Sequence, residues 1–349
     1  MTNQLDTIYQ LFESTDTQHR VFDMGRRVSK ISSEQFKNFE DATAPYPYPL
    51  QQKAWLAILF WDKKRSEQHY LWFLKFQLDE QGKLIQATRN HFLAMVIEVL
   101  GTQLTGNSEN QQKLDNNPYT FKPDQNKLAY VNELIKQQLK QPASVYYEHA
   151  QSYLSGAQGW QSWQQVGIQG LADVAARIDT DNNHSIIQNA LSHLPIEVLT
   201  PLCAQLEHSS VPTHLTEQLI AIGEQALNDN NKSLLINIIR AISNSKANKL
   251  RQQLLSKVLA SDISLDIEML IVITGRCWLD LNEQDLRMTF LEQLAALDDM
   301  EVFEGLVSDL VAIPAIRGNI LASFRSPERS AILTKAIGYL FGQQTQTSQ

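Results

Sequence analysis

The chain has 349 residues, of which 43% are hydrophobic and 19% charged, with two cysteines and a formal net charge of −8. That length exceeds one small core and fits two domains, or one domain followed by a repeat array. Residues 1–150 carry 17 acidic and 17 basic side chains and residues 151–349 carry 21 and 13, so the whole acidic excess lies in the second part and excludes broad electrostatic binding of phosphate backbones there.

In chain order, Asn3 to Phe12 places Leu5, Ile8, Tyr9 and Phe12 at the spacing of a short amphipathic helix. Arg20 to Ile31 predicts two short strands, or one bent at Gly25, where the missing Cβ permits an unusual backbone. Ser32 and Gln35 form a capping box for a short helix carrying Phe36 and Phe39. Pro45, Pro47 and Pro49 hold their segment extended. Lys53 to Trp61 is an almost unbroken apolar run, and its flanking prolines and rings favour a strand covered on both faces. Tyr70 to Leu78 ends in alternation, and Asp79 to Gly82 turn the chain into Leu84 and Ile85, which predicts an antiparallel meander. Thr88 to Leu100 reads as a helix closed by Gly101.

Thr102 to Asn126, rich in Asn and Gln, is expected to be the flexible connection. Helices resume at Leu128–Lys140 and Ala143–Leu154, and Gly156 and Gly159 mark a joint before Trp160. No Phe, Tyr or Trp occurs from Gln164 to Cys277, and the medium aliphatics there suit short helices packed at close distance. First members of helix pairs are expected near Asn183, Thr213, Lys246, Asn282 and Ala315, and second members near Pro195, Asn231, Ser264, Glu301 and Pro327. Pro195 and Pro327 each suit a first helical position, with Ser326 as cap before Pro327. A ragged period of thirty to thirty-six residues is the pattern of a HEAT- or armadillo-like array of helical hairpins. The expected fold class is α+β, with a small N-terminal antiparallel sheet and packed helices over 1–101. A polar linker at 102–127, connecting helices at 128–158, an all-α repeat domain at 159–342 and a disordered tail at 343–349 are expected to follow.

Phe22-Asp23-Met24-Gly25-Arg26-Arg27, Pro45-Tyr46-Pro47-Tyr48-Pro49-Leu50 leading to Ala54-Trp55-Leu56, and Trp72-Phe73-Leu74-Lys75 running on to Leu78-Asp79-Glu80-Gln81-Gly82 are distinctive. Through them the chain resembles a bacterial family, chiefly gammaproteobacterial, classed as a domain of unknown function. The resemblance extends over the full length and implies a bacterial cytosolic protein. It transfers no catalytic residues.

Candidate chemistry is sparse. Asp23, Arg26 and Arg27 around Gly25 could clamp a carboxylate or phosphate, against a structural reading as an internal salt bridge at a turn. Trp160 and Trp163, three apart, could form a partner-binding patch or a cap sealing the first repeat. Tyr46 to Pro49 could be an extended ligand for another domain, but a packed connector is favoured. Asp79 and Glu80 are paired carboxylates at a turn tip, where Asp has a conformational role. His184, His193, His208 and His214 lack the close pairing of zinc sites, and Cys203 and Cys277 read as buried thiols, so no metal or cofactor is expected. Phosphate-loop, dinucleotide, zinc-protease and serine-hydrolase motifs are not found. Met1 to Gln10 shows no secretory pattern, and the longest apolar run, Ala54 to Trp61, falls far short of the ~20 residues of a membrane span, so the cytoplasm is expected and no membrane partner. These features favour an interaction or scaffold protein with a protein partner of basic or mixed charge. The alternative is an enzyme or small-anion sensor with its site at the N-terminal sheet.

Overall fold

The computed structural model describes residues 6–63, 68–103 and 117–344. The chain divides into two compact units, with the break between Pro123 and Asp124. The class is α+β: a small antiparallel sheet near the N-terminus, then helices throughout.

In the first unit, helix α1 (Ile8–Ser14) begins where the Thr7 hydroxyl accepts the Gln10 N–H. Strand β1 (Thr17–Asp23) and strand β2 (Ser29–Ile31) form a hairpin, and the expected Ser32–Gln35 capping box opens helix α2 (Ser33–Glu40). Strands β3 (Lys53–Asp62) and β4 (His69–Gln77) precede helix α3 (Gln86–Gln103). The sheet order is β2-β1-β3-β4, antiparallel throughout. Val21 faces Ile31 on one side and Ile58 on the other, and Ile58 faces Trp72, so one register sets a continuous apolar row across four strands. That face buries Leu56, Leu74 and Phe76 together with Phe12 of α1, Phe36 of α2 and Phe92 of α3. Alternate residues Phe22, Ala57 and Leu59 are buried as well, as expected for a strand covered on both faces.

Several expectations need correction. The sheet is not a simple meander: β1 lies between β2 and β3, because the proline-rich connection returns the chain to the free edge of β1. After the Asp79–Gly82 turn only the bridge Leu78–Leu84 forms, since helix α3 takes over at Gln86. Helix α3 also runs through Gly101 rather than ending before it. Of the expected linker, 104–116 lies outside the described residues, and part of its remainder is ordered. Lys75 N–H donates to Tyr119 O at 2.7 Å and Phe121 N–H to Phe73 O at 3.2 Å, so the chain beyond Pro118 borders β4.

The second unit is helical: α4 (Gln125–Gln138), α5 (Tyr147–Leu154), a 3₁₀ helix (Trp160–Gln165), α6 (Ile168–Ala176), α7 (Asn183–Ala190), α8 (Ile196–Leu206), α9 (Thr213–Asn228) and α10 (Lys232–Ile242). Then come α11 (Asn248–Leu259), α12 (Ile267–Arg276), α13 (Gln284–Ala296), α14 (Met300–Ala312), α15 (Pro314–Ser323) and α16 (Ala331–Gln344). Pro195 is the cap of α8 rather than its first residue. Helix α16 starts beyond Pro327, where the Ser330 hydroxyl, itself hydrogen-bonded to Glu292, accepts Leu333 N–H.

From α4 to α11 each helix packs on the one two places along. One row runs α4, α6, α8, α10, α12, and the other α5, α7, α9, α11, α13, with α16 on α13. The fourth residue of α9, α11 and α13 ties neighbours together. Thr216 of α9 shares a 2.6 Å hydroxyl contact with Ser245, Arg251 of α11 pairs with Asp280, and Arg287 of α13 donates to Ser323 at 2.7 Å. Arg251, Arg287 and Arg317 also each donate to a carbonyl six residues back, Ser245, Leu281 and Val311, and so anchor the entry of α11, α13 and α15.

Close approach of α5 and α6 depends on Gly170, where a Cβ would lie 2.8 Å from both Ala150 Cβ and Tyr146 O. A helical Gly→Ala change ordinarily stabilises by about 1 kcal/mol. Gly170→Ala is expected to reverse that sign and cost about 1–3 kcal/mol through overpacking. Gly305→Ala, with no atom within 4 Å of its would-be Cβ, should gain the usual increment. Paired urea denaturation of the two variants checks this.

Candidate functional site

The Gly25 turn is built around Asp23. Its carboxylate accepts N–H from Gly25 at 3.2 Å, N–H from Arg27 at 3.2 Å and the Tyr46 hydroxyl at 2.7 Å. Arg26 is fully buried, with Nε donating to Pro49 O at 2.8 Å, while Arg27 is half-buried. The three residues that could clamp an anion do converge, but Asp23 and Arg26 do so inside the protein, where they lock β1 to the proline-rich segment. Burial and the Asp23 charge push the Tyr46 hydroxyl well above its ordinary range, which keeps it a donor to that carboxylate. The proline-rich segment is thus a packed connector, and Asp79 Oδ1 caps its own turn by accepting N–H from Gln81 and Lys83.

Trp160 and Trp163 lie on the 3₁₀ helix and both are partly exposed. The Trp160 ring stacks on His193 at 4.9 Å and meets the Tyr153 edge at 5.8 Å, which ties α5 to the turn before α8. Of the four histidines, only His184 and His214 touch each other, ring to ring at 5.0 Å, and no metal-holding group of three side chains occurs among the described residues. Cys203 and Cys277 are both buried, and burial pushes the Cys203 thiol up to about 12, away from thiolate chemistry.

One buried charge cluster has no motif in the sequence. Buried Glu207, at the end of α8, accepts Arg240 Nε at 2.7 Å and Arg276 Nε at 2.9 Å, and His208 lies 3.7 Å from its other oxygen. Burial alone would raise this carboxyl, but Arg276, His208 and Arg240 outweigh it and hold it at about 2. A second cluster joins Glu133 of α4, Asp173 of α6 and Arg177. Burial, reinforced by the Asp173 charge, raises Glu133 despite its bond to Arg177.

In the N-terminal unit, Glu40 accepts N–H from Ile8 at 2.9 Å and Tyr9 at 2.8 Å, capping α1 from α2. Burial pushes its carboxyl up to about 7 against those two donors and Arg89. Since the folded state then holds this proton above the ordinary value near 4.5, stability is expected to fall as pH rises from there to about 7 and to level off above. The loss is at most about 3 kcal/mol, and chemical denaturation of wild type and Glu40→Gln at both ends of that window checks it.

Clefts open on this unit, and two of them carry more than one basic side chain. One of about 380 Å³ is lined by Tyr9, Glu13, His19, Arg20 and Lys63. Burial, then the Arg20 charge, lowers the His19 pKa, and its ring stacks on Phe12 at 5.2 Å. The other, about 330 Å³, is lined by Lys53, Lys75, Gln77, Ile85, Thr88, Pro118 and Tyr119. Its sequence signal, Lys-x-Trp on β3 facing Lys-x-Gln on β4, is visible only once the register is known.

Among the described residues no helix is long and apolar enough to cross a membrane. No curated protein and no solved structure matches the chain. One family model does match, over residues 3–341, nearly the whole length. The chain therefore belongs to the family described as Protein of unknown function (DUF3549).

Proposed function

We propose that this is a bacterial cytoplasmic scaffold whose helical unit, built of HEAT- or armadillo-like repeats, binds a protein partner of basic or mixed charge. The observation that carries the reading is the two-row packing of short helices, tied by side chains at one repeated position. Such stacking leaves an extended surface, a form suited to protein recognition. The unit exposes apolar side chains: Ile267 and Ile271 are one turn apart on α12, and Leu265 precedes them. The acid excess of residues 151–349 favours a cationic or mixed partner and disfavours nucleic acid. Two buried free thiols suit a reducing compartment.

The test is affinity capture with the full chain and with Ile267→Asp/Ile271→Asp, both sites being exposed and so tolerant of the change. A stoichiometric partner held by wild type at moderate salt and lost by the variant is the expected result. Failure to retain any stoichiometric partner at low and moderate salt defeats the proposal.

A further inference from the structure

The 330 Å³ cleft on the N-terminal unit holds two cations and no anion. Lys53 and Trp55 are neighbours on one face of β3, and the register sets Gln77 opposite Lys53 and Lys75 opposite Trp55 on β4. Both ammonium groups approach the same indole, Lys53 at 5.9 Å and Lys75 at 6.0 Å from the ring centroid. The ring is fixed: its N–H donates to Leu50 O at 3.0 Å, and the Phe121 ring meets it edge-on at 4.9 Å. Like charges gathered over one ring repel, and the ring quadrupole answers only part of that. Glu207, by contrast, offsets the paired charges of Arg240 and Arg276. Here no carboxylate pairs with either lysine among the described residues, and none lines the cleft.

The remaining wall is mixed. The Gln77 side chain is exposed, Ile85 and Pro118 are apolar, and the Tyr119 hydroxyl is engaged with His91 Nδ1 at 2.8 Å. A volume of about 330 Å³ is at the lower end for small-molecule sites, which run from about 300 to 1,000 Å³. A concave site with two convergent point charges, one amide and apolar sides matches a small molecule bearing more than one anionic oxygen group.

We infer that the Lys53–Trp55–Lys75–Gln77 face of the sheet binds a small polyanion carrying phosphate or carboxylate groups. The two ammoniums hold separate anionic oxygens, Gln77 donates a hydrogen bond, and Ile85 and Pro118 border the rest of the molecule. This site does not depend on the scaffold reading of the helical unit, and it differs from the Asp23, Arg26 and Arg27 turn, whose first two members are sealed inside.

Calorimetric titration of the full chain at low salt, with inorganic pyrophosphate in one arm and citrate in the other, tests the inference. Saturable binding of at least one anion is expected. Lys53→Gln and Lys75→Gln should each weaken it by about ten-fold or more, the share of one charge-assisted hydrogen bond. Lys75→Arg should retain binding, and Lys63→Gln, in the other cleft, should leave it unchanged. Pyrophosphate alone binding assigns a phosphate ligand, and citrate alone a carboxylate ligand. Both lysines are partly exposed, so the variants should fold, and circular dichroism verifies this. No saturable binding of either anion up to about 10 mM, or equal affinity in wild type and both glutamine variants, would overturn the site.

Discussion

Asp280→Ala is expected to destabilise the helical unit by about 3–5 kcal/mol, the cost of leaving a buried guanidinium without its anion. Asp280 and Arg251 are 1% and 6% exposed, so water cannot replace the lost partner. The pair is bidentate, with Arg251 Nε at 2.7 Å and its other nitrogen at 2.8 Å from the two carboxylate oxygens. Arg251→Ala should cost as much or more, because it also frees Ser245 O, which Arg251 holds at 2.7 Å. Replacing both partners, Arg251→Met with Asp280→Leu, should recover most of the loss, since no buried charge then remains. Urea denaturation followed by far-ultraviolet circular dichroism measures all four proteins. A cost near that of a surface ion pair, under about 1 kcal/mol, would show that the cluster is hydrated in solution.

The second large effect is pH-dependent. Glu207 ionises at about 2 in the folded chain, against an ordinary value near 4.5. Its folded pKa is depressed, so its stabilisation is fully present above the ordinary value and is lost as pH falls through the folded one. The difference corresponds to about 3 kcal/mol between roughly pH 5 and 2. Glu207→Gln should remove that acid sensitivity and give up a similar amount of stability at neutral pH. The slopes of wild type and variant are compared over the same acidic window, so that other carboxylates cancel. Parallel slopes would mean that Arg240 and Arg276 do not act on this carboxyl in solution.

Much of the architecture is legible in the sequence, and the failures have physical causes. The unbroken apolar run from Lys53 to Trp61 gives β3, alternation after Tyr70 gives β4, and the Ser32–Gln35 pair gives the start of α2, because all three signals are local. Strand order is not local: nothing near Val21 says that it faces Ile31 and Ile58 at once. Tyr119 and Phe121 border β4, yet their neighbours are Asn, Pro and Lys, and the segment reads as a connection. Gly101 looks like a helix end, but one glycine costs only about 1 kcal/mol and α3 runs through it.

Charge clusters are harder still. Glu207 and Arg276 are 69 residues apart, so their meeting is set by the stacking of α8, α10 and α12 rather than by any motif. The arginines at the fourth positions of α11, α13 and α15 did carry a readable signal. They recur at 251, 287 and 317, close to the helix-pair spacing, but three isolated arginines are a weaker signal than the apolar periodicity around them. The Asp23, Arg26 and Arg27 triplet was legible as a cluster, whereas its burial was not, because sealing an arginine depends on Tyr46 and Pro49 more than twenty residues away.

The aliphatic stretch from Gln164 to Cys277 holds no indole or phenol. Opening of helices α9 to α11, in the middle of that stretch, would therefore alter neither emission nor near-ultraviolet signal from within the segment. A fluorescence-detected melt would register the two flanks and pass over the middle, so amide exchange is the probe that reports whether the centre of the rows yields first.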